Sequence, residues 1–149
     1  MESLQIGLGL SFVAIFLVSV ILFLSYQRQV LRDIRAENRL LAPGKVWLQL
    51  IPVFGAVFQF TVVAKIADSI RNELSGSDGS DILSANPGIS DQRPTLRAGF
   101  GMAVLSCLAM IPIPVFQVVM NFSAIVAWII YWLELRKYHR QIKFRYSSA

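Results

Sequence analysis

Few residues of this chain could do acid–base, nucleophilic or metal chemistry, and they lie far apart in the sequence. There is one cysteine, Cys107, within an apolar run, and one histidine, His139, in a basic tail. One cysteine permits no intramolecular disulfide, and one histidine supplies too few ligands for a self-contained zinc or haem site. The sequence also lacks a phosphate-binding loop, a nucleophile elbow and a zinc-protease motif. We therefore predict a protein that is not an enzyme, with no catalytic residues, no metal and no cofactor.

Two acidic residues, Asp78 and Asp81, are close enough in sequence to suggest a calcium-binding loop. Such a loop has alternating acidic ligands and a closing glutamate, and this stretch has neither. Its content of glycine, serine, aspartate and proline is typical of an exposed connection. We predict a solvated, flexible loop over 75–95.

Polar side chains inside apolar segments are further candidates, because they could line a path or contact a substrate. Amides and hydroxyls recur at matching positions of two segments: Gln59, Thr61, Asn121 and Ser123. Such groups more often hydrogen-bond between helices, where each contributes about 0.6–2 kcal/mol. We expect interhelical contacts and keep a substrate path as the alternative.

Small residues recur every four positions on two predicted helices. Gly99, Ala103 and Cys107 form one such stripe, and Gly7 and Ser11 form another. Small side chains let helix backbones approach closely within a membrane. Both stripes are predicted to be helix-packing faces, within the chain or towards a partner.

The elements that must position these residues are long apolar segments. Of the 149 residues, 55% are hydrophobic and 15% are charged, whereas soluble domains carry about 25% charged residues. The composition predicts an all-α integral membrane protein with one membrane domain over residues 1–149. The net charge is +5, but no basic face is interleaved with stackable aromatic residues, so no nucleic-acid partner is expected.

The first apolar segment, residues 6–25, has no charged residue and would form a helix about 30 Å long, enough to cross a bilayer. The alternative is a signal peptide, which would begin with a basic region, but Glu2 precedes this segment. We expect an uncleaved first span. Residues 26–42 should continue it as a basic amphipathic extension at the interface, which Pro43-Gly44 ends.

The second apolar segment differs from the first because Pro52 and Gly55 lie near its middle. Proline removes a backbone donor and clashes with the preceding turn, so the helix should break there. We predict a broken re-entrant or interfacial hairpin over 46–74. Its first arm, Val46–Ile51, would span only about 9 Å, so the hairpin would enter one leaflet without crossing.

The last apolar block is too long for one span and is interrupted by Pro112 and Pro114. It is predicted to form a helical hairpin with span 2 over 98–111, a turn at the two prolines and span 3 over 115–135. A basic tail follows over 136–149. Tryptophan and tyrosine favour the headgroup region, and four are predicted to be interfacial anchors: Trp47, Trp128, Tyr131 and Trp132.

The fourteen lysines and arginines predict the orientation, because positive residues near span ends are retained in the cytoplasm. Five lie in 26–45, four in 65–97 and five in the tail. Four spans would divide them five against nine. Three spans plus a hairpin that enters and leaves by one face would keep all fourteen inside. We predict three spans, with the N-terminus outside and the C-terminus in the cytoplasm, and keep four spans as the alternative.

Two short segments resemble each other, which raises the question of an internal duplication. Residues 51–61 read IPVFGAVFQFT and residues 113–123 read IPVFQVVMNFS. Apolar segments match easily by chance, so duplication and coincidence both stay open. A true duplication would give two hairpins of the same orientation, the first shallow and the second deep.

The segment Pro43–Leu74 contains Pro-Gly, Val-Trp, Ile-Pro and Ile-Ala-Asp-Ser in series and covers about a fifth of the chain. It resembles a segment of small multi-pass bacterial membrane proteins whose function is uncharacterised. The resemblance implies a protein of the bacterial inner (plasma) membrane. It implies no activity.

The expected function is that of a non-catalytic helical membrane protein, an accessory or structural subunit of a larger membrane complex. Its partners would be the lipid bilayer and other membrane-protein subunits or further copies of itself. The first alternative is a membrane-shaping or lipid-binding protein, because a shallow hairpin and basic arms would favour anionic lipid. The second is a small oligomeric transporter or channel lined by Gln59 and Asn121.

Overall fold

A computed structural model of the chain describes residues 2–51, 53–75 and 93–147, with side chains from residue 5 onward except at residues 8 and 12. The described residues form helices and contain no strand. The α-helices are α1 (Glu2–Asp33), α2 (Phe54–Ser75), α3 (Leu96–Leu108) and α4 (Pro114–Ser147), and a 3₁₀ helix (Pro43–Leu50) lies between α1 and α2. The predicted all-α class is confirmed for this part of the chain.

Two of these helices, α1 and α4, are long and apolar enough to cross a membrane. The candidate spans are Gln5–Asp33 and Pro114–Ser147. α3 is also apolar, but its 13 residues extend only about 20 Å. Helix length and composition therefore support two crossings, fewer than the three or four that the sequence predicts.

α1 does not end with its apolar run but continues to Asp33, where the chain leaves the helix and turns towards the 3₁₀ helix. Here the structure differs from the arm at the lipid interface expected over 26–42. The apolar residues Val30, Leu31 and Ile34 are at most 1% exposed and belong to a protein core. α2 and α4 offer matching apolar stripes to this core: Val62, Ile66, Ile70, Leu74, Leu135 and Ile142. The arm therefore packs on protein, because apolar partners lie within the same chain.

The 3₁₀ helix and α2 form a hairpin with a close backbone contact at its tip. A Cβ atom at Gly55 would overlap the backbone of Gln49, whose carbonyl carbon lies 2.7 Å from that position. Val53 adopts the left-handed conformation, with φ of 63°. The absence of a side chain at Gly55 thus permits the turn, and α2 then runs unbroken to Ser75. Pro52, the other predicted hinge residue, lies outside the described residues.

α3 and α4 form a helical hairpin around the two predicted turn prolines. α3 ends at Leu108 and α4 begins at Pro114, so Pro112 lies in the connection. Proline suits the first turn of a helix, because the backbone N–H that it lacks would have no intrahelical partner there. α4 then continues as far as Ser147. The segments predicted as span 3 and as a basic tail are therefore parts of one helix.

α3 runs antiparallel to α2 and α4, which brings the charged ends of all four helices together. Three contacts give the register of α2 and α3: those of Gly99 with Val63, Gln59 with Ala103, and Cys107 with Ala56. α1, α2 and α4 are apolar at their N-terminal ends and charged at their C-terminal ends, and α3 is the reverse. The bundle therefore has one apolar end and one charged end.

An aromatic layer separates the apolar end from the charged end. It consists of one ring from α1 and three from α4: Phe23, Trp128, Tyr131 and Trp132. The ring of Phe23 packs edge-on against the other three, with centroid distances of 5.3, 5.9 and 5.8 Å. Val63 of α2 belongs to the same packed cluster. The layer thus marks one common level on α1, α2 and α4.

The helices extend to different depths from this layer into the apolar end. At 1.5 Å per residue, α1 extends about 27 Å to Gln5 and α4 about 26 Å to Pro114. α2 extends only about 14 Å, from Val63 to Phe54. The tip of the hairpin therefore reaches about half as far as α1 and α4.

Candidate functional site

The four residues predicted as interfacial anchors lie in or beside the aromatic layer. Trp128, Tyr131 and Trp132 belong to the layer, and Trp47 packs against the same cluster. The three tryptophans are partly exposed. Tyr131 is fully buried instead, because its ring packs between Phe23 and the backbone of α3.

Glu73, near the end of α2, is the centre of a polar cluster at the charged end and is 1% exposed. Its carboxylate accepts hydrogen bonds from Arg35 Nε at 3.1 Å, from Asn38 Nδ2 at 2.8 Å and from the hydroxyl of Tyr146. Burial by itself would raise the pKa of Glu73, but the hydrogen bonds from Tyr146, Asn38 and Arg35 outweigh it and hold the pKa below its usual value. The charged carboxylate therefore joins α2 to α4 and to the segment that follows α1.

The same end of α2 is held by two further polar contacts. Arg145 of α4 donates from Nη1 to the carbonyl oxygens of Glu73 and Leu74, at 2.8 and 3.3 Å. The last carbonyls of a helix lack intrahelical partners, so a cation is favourable there. The buried hydroxyl of Ser69 accepts a hydrogen bond from the backbone N–H of Leu40 at 2.9 Å. The Arg145 contacts therefore hold α4 against the end of α2, and the Ser69 contact holds the segment between α1 and the 3₁₀ helix against α2.

His139 forms a second buried polar contact, between α1 and α4. It is 4% exposed. Its Nδ1 lies 2.9 Å from the hydroxyl of Tyr26, and its Nε2 lies 2.6 Å from Oδ2 of Asp33. A neutral imidazole with its proton on Nε2 satisfies both contacts, because the tyrosine donates to Nδ1 and Nε2 donates to the carboxylate. Lys143 Nζ is 3.7 Å from the same Asp33 oxygen.

The sequence places His139 in a basic tail without a role, whereas the structure places it in a buried stripe with Leu135 and Ile142. The spacing of that stripe was the available signal. Apolar residues at positions i and i+7 of a helix put the residue at i+4 on the same face. A histidine at that position is therefore expected to be buried and to require partners.

Two side-chain amides form a polar contact near the C-terminal end of α1. Gln27 is fully buried, and its Oε1 accepts a hydrogen bond from Gln49 Nε2 at 2.9 Å. Gln49 also donates to the carbonyl of Val46 at 3.1 Å. Gln27 lies beside the hydroxyl of Tyr131. The contact joins α1 to the 3₁₀ helix. The sequence does not single out Gln27, because it lies just beyond the apolar run.

The four polar residues predicted to make contacts inside the membrane lie in different surroundings. Gln59 Nε2 donates to the carbonyl of Ala103 on α3 at 3.2 Å, so it joins two helices. Asn121 donates to Gln117 in its own helix, and Ser123 donates to Val119 in its own helix, both at 2.9 Å. Thr61 is exposed. Gln59 lies about 6 Å from the level of the aromatic layer and Asn121 about 15 Å, so the fold does not bring the two amides together.

The stripe of small residues on α3 packs inside the chain. A Cβ atom at Gly99 would overlap Val63 and would lie 2.9 Å from Tyr131 Cε2. Ala103 is fully buried, and Cys107 Sγ lies 3.9 Å from the carbonyl oxygen of Ala56. Gly99 therefore lies at the closest approach of α2, α3 and α4.

The small residues on α1 have different surroundings. No atom outside α1 lies within 4 Å of the Cβ position of Gly7. The hydroxyl of Ser11 donates to the carbonyl of Gly7 in the same helix at 2.9 Å and is exposed. This face of α1 has no partner among the described residues.

The buried polar contacts couple α1, α2 and α4 at the charged end. In the Tyr26–His139–Asp33 contact, both imidazole nitrogens are engaged with protein groups. Within residues 2–51, 53–75 and 93–147, no group of three or more His, Cys, Asp or Glu side chains could hold a metal ion. The buried polar contacts thus join helices that are distant in the sequence. No family model, curated protein or solved structure matches the chain.

Proposed function

We propose that the chain is a non-catalytic membrane protein that crosses the bilayer three times and acts by association, as an accessory or structural subunit of a larger membrane complex. In this arrangement α1 and α4 each cross the bilayer, and α3 makes the third crossing together with the connection 109–113. The 3₁₀ helix and the first half of α2 enter one leaflet and return. The N-terminus lies outside, and the charged end lies in the cytoplasm of a bacterium.

The topology is supported by the depths of the helices and by the common position of their charged ends. α1 and the α3–α4 hairpin extend about 26–27 Å from the aromatic layer, close to the roughly 30 Å thickness of a hydrocarbon core. The tip of the α2 hairpin extends about 14 Å and could not cross. Because the charged ends of the four helices lie together, one cytoplasmic face would hold all fourteen lysines and arginines.

The observation that carries the proposed association is the exposure of α1 beyond the aromatic layer. Of the 18 residues in its most apolar stretch, only 6% are buried within the chain. Among the described side chains of α1, the first buried ones are Phe23 and Leu24, towards its C-terminal end. α1 is therefore held at one end and leaves the face of Gly7 and Ser11 uncovered. In a membrane such a face suits close packing against another helix.

Purification in a mild detergent tests the association. We expect mass spectrometry to identify a second membrane protein, or cross-linking to identify a second copy, bound to the full-length chain. Replacing Gly7 and Ser11 by leucine should release that partner. Gly101→Leu is the matched control, because Gly101 lies on α3 and also has nothing within 4 Å of its Cβ position. A chain that runs as a lone monomer, with no partner retained, would contradict the proposal.

The topology has its own test, which does not depend on a partner. Single cysteines at Ser80 and Ser90, in the connection between α2 and α3, are introduced into a Cys107→Ala background. We expect them to be protected from a membrane-impermeant thiol reagent applied to intact cells and to react after lysis. Labelling from the outside would refute a hairpin that returns to the cytoplasm and would favour four crossings.

A membrane-shaping function is a second candidate, favoured by the exposed apolar tip of the hairpin. Val53 is 74% exposed and Val57 is 70% exposed, at about half the depth of the bilayer core. A wedge in one leaflet would expand that leaflet and favour curvature. Purified protein reconstituted at high surface density should then remodel liposomes, and unchanged liposomes would remove this candidate.

The geometry favours an oligomeric channel least. Gln59 and Asn121 lie about 9 Å apart in depth, and the side-chain amide of each donates to a backbone carbonyl of the same chain. They therefore do not outline a common path within one chain. If a channel nevertheless formed between copies, Asn121→Leu should reduce ion or solute flux through reconstituted protein.

A further inference from the structure

Tyr26 and Asp33 of α1 contact His139 of α4 at the charged end, and we call this contact the α1–α4 seam. Exposed positive charges lie beside it, next to the aromatic layer. The ring of Tyr26 contacts Trp132, with 6.4 Å between centroids, and His139, with 5.3 Å between centroids. Arg136 and Arg140 follow Trp132 on α4 at four-residue steps and are exposed. Both guanidinium charges lie within electrostatic range of the Tyr26 hydroxyl. The two arginines therefore flank the same side of the seam as Tyr26.

Arg136 and Arg140 form no ion pair within the described part of the chain. No Asp or Glu there lies within 4.0 Å of either guanidinium group, in contrast to Arg35 and Arg93, which form ion pairs. Asp33, the acid of the seam, is engaged by His139 and Lys143. Like charges four residues apart on a helix repel each other. An anion placed between Arg136 and Arg140 would relieve that repulsion.

The depth of the pair matches the headgroup layer of a bilayer. Arg136 lies about 6 Å and Arg140 about 12 Å beyond Trp132 along α4, and the polar layer of a bilayer is about 5–8 Å thick on each side. Helical side chains lean towards the N-terminus of their helix, which for α4 is the membrane side. The long arginine stems can therefore carry both guanidinium groups several ångströms towards the headgroup layer.

We propose that Arg136 and Arg140 bind the phosphate of an anionic phospholipid in the cytoplasmic leaflet, beside the Trp132 and Tyr26 rings. Guanidinium groups match the geometry of phosphate oxygens with paired hydrogen bonds. The site rests on the orientation proposed above, with the charged end in the cytoplasm, but not on a partner protein.

The chain contains a matched control for this site. Arg28 and Arg32 are also exposed arginines four residues apart, at the same end of α1. They lie about 200° and 240° around the helix from Tyr26, on the face turned away from the seam. Arg28→Gln with Arg32→Gln therefore removes the same charge as Arg136→Gln with Arg140→Gln but leaves the seam intact.

Native mass spectrometry of the full chain in detergent, titrated with phosphatidylglycerol or phosphatidylcholine, tests the proposal. We expect phosphatidylglycerol to be retained in preference to phosphatidylcholine. The Arg136/Arg140 double variant should bind it about 25-fold more weakly, since each cation near a charged headgroup contributes about five-fold. The Arg28/Arg32 double variant should keep most of the affinity.

Three results would overturn the site. An equal loss in both double variants would show that only the summed charge attracts the lipid. An unchanged affinity in the Arg136/Arg140 variant would show that the seam is not used. Displacement of the lipid by millimolar inorganic phosphate would show a simple phosphate site. The cysteine-labelling pattern at positions 80 and 90 is recorded for the same variants, so a failed orientation is distinguished from a failed lipid site.

Discussion

The Nε2 atom of His139 lies 2.6 Å from Oδ2 of Asp33, across the contact between α4 and α1. The other imidazole nitrogen faces the hydroxyl of Tyr26 at 2.9 Å. Both partners belong to the last two turns of α1, so a single buried side chain connects the ends of the two candidate spanning helices. Because the polar groups are largely withdrawn from water, the loss of one would leave the others unsatisfied.

Replacement of His139 by leucine should destabilise the fold by about 1–3 kcal/mol, because it leaves the Tyr26 hydroxyl and the Asp33 carboxylate without their partner. Asp33→Asn should cost less, since an amide oxygen still accepts the hydrogen bond. Thermal unfolding in detergent measures both effects. Arg32→Gln is the control, because its side chain is exposed and should change stability little. A His139→Leu variant as stable as the parent would contradict the role given to this contact.

Glu73 should make stability dependent on acid pH. Its pKa in the folded protein lies below the ordinary value of 4.5, so its contribution is present above pH 4.5 and is lost as the pH falls through the lowered pKa. The free energy of unfolding should therefore fall less steeply with acid in Glu73→Gln than in the parent.

A matched carboxylate checks the origin of this pH dependence. Glu37→Gln should retain the acid slope of the parent, because the Glu37 side chain is 70% exposed and forms only a long surface ion pair with Arg35. Chemical unfolding at several pH values between about 3 and 6 gives the two slopes. Identical slopes for the Glu73 and Glu37 variants would be inconsistent with the buried cluster.

Gly99→Ala should destabilise the packing of α2, α3 and α4 by about 1–3 kcal/mol, as expected for an added methyl group in a close contact. The new atom would overlap Val63 and would lie 2.9 Å from Tyr131. Gly101→Ala, two residues further along the same helix, has open space and should be neutral or stabilising, because alanine favours helix more than glycine. The difference between the two melting temperatures is the measurement. Equal melting temperatures would show that α3 does not approach its neighbours at Gly99.

Gln59 and Asn121 should respond differently to the same change. Gln59→Leu removes a hydrogen bond to the backbone of α3 and should cost about 0.6–2 kcal/mol. Asn121→Leu removes only a contact within α4, so it should be neutral or stabilising. Unfolding of the two variants in the same detergent compares them directly. A larger loss for Asn121→Leu would point to an interhelical contact at that position, in the assembled protein.

The helical class, the proline-flanked hairpin of α3 and α4, and the polarity of each helix could be predicted from the sequence. Apolar runs without charge favour helices in a membrane, because the backbone must satisfy its own hydrogen bonds there. Proline at the start of α4 and glycine in the first turn of α2 interrupt those runs for reasons local to the backbone. The position of the lysines and arginines at one end of each helix can be read from the sequence. These features depend on near neighbours in the chain.

The roles of Glu73, His139 and Gln27 could not be predicted in the same way. Each carries a polar group into a buried place, and whether that is tolerated depends on a partner more than twenty residues away. The sequence shows that His139 could share a face with Leu135 and Ile142. It does not show that Asp33 and Tyr26 would meet that face.

The sequence contains few residues that could do chemistry, and the fold places several of them in buried contacts that the sequence does not indicate. The sequence by itself shows one cysteine, one histidine and apolar runs long enough for membrane helices. Only the tertiary structure decided which polar residues of the charged end are buried, and which of them pair to join α1, α2 and α4. The physical reason is that a buried polar group requires a hydrogen-bonding partner, and the partners of Glu73, His139 and Gln27 lie in segments that only the packing of the helices brings together.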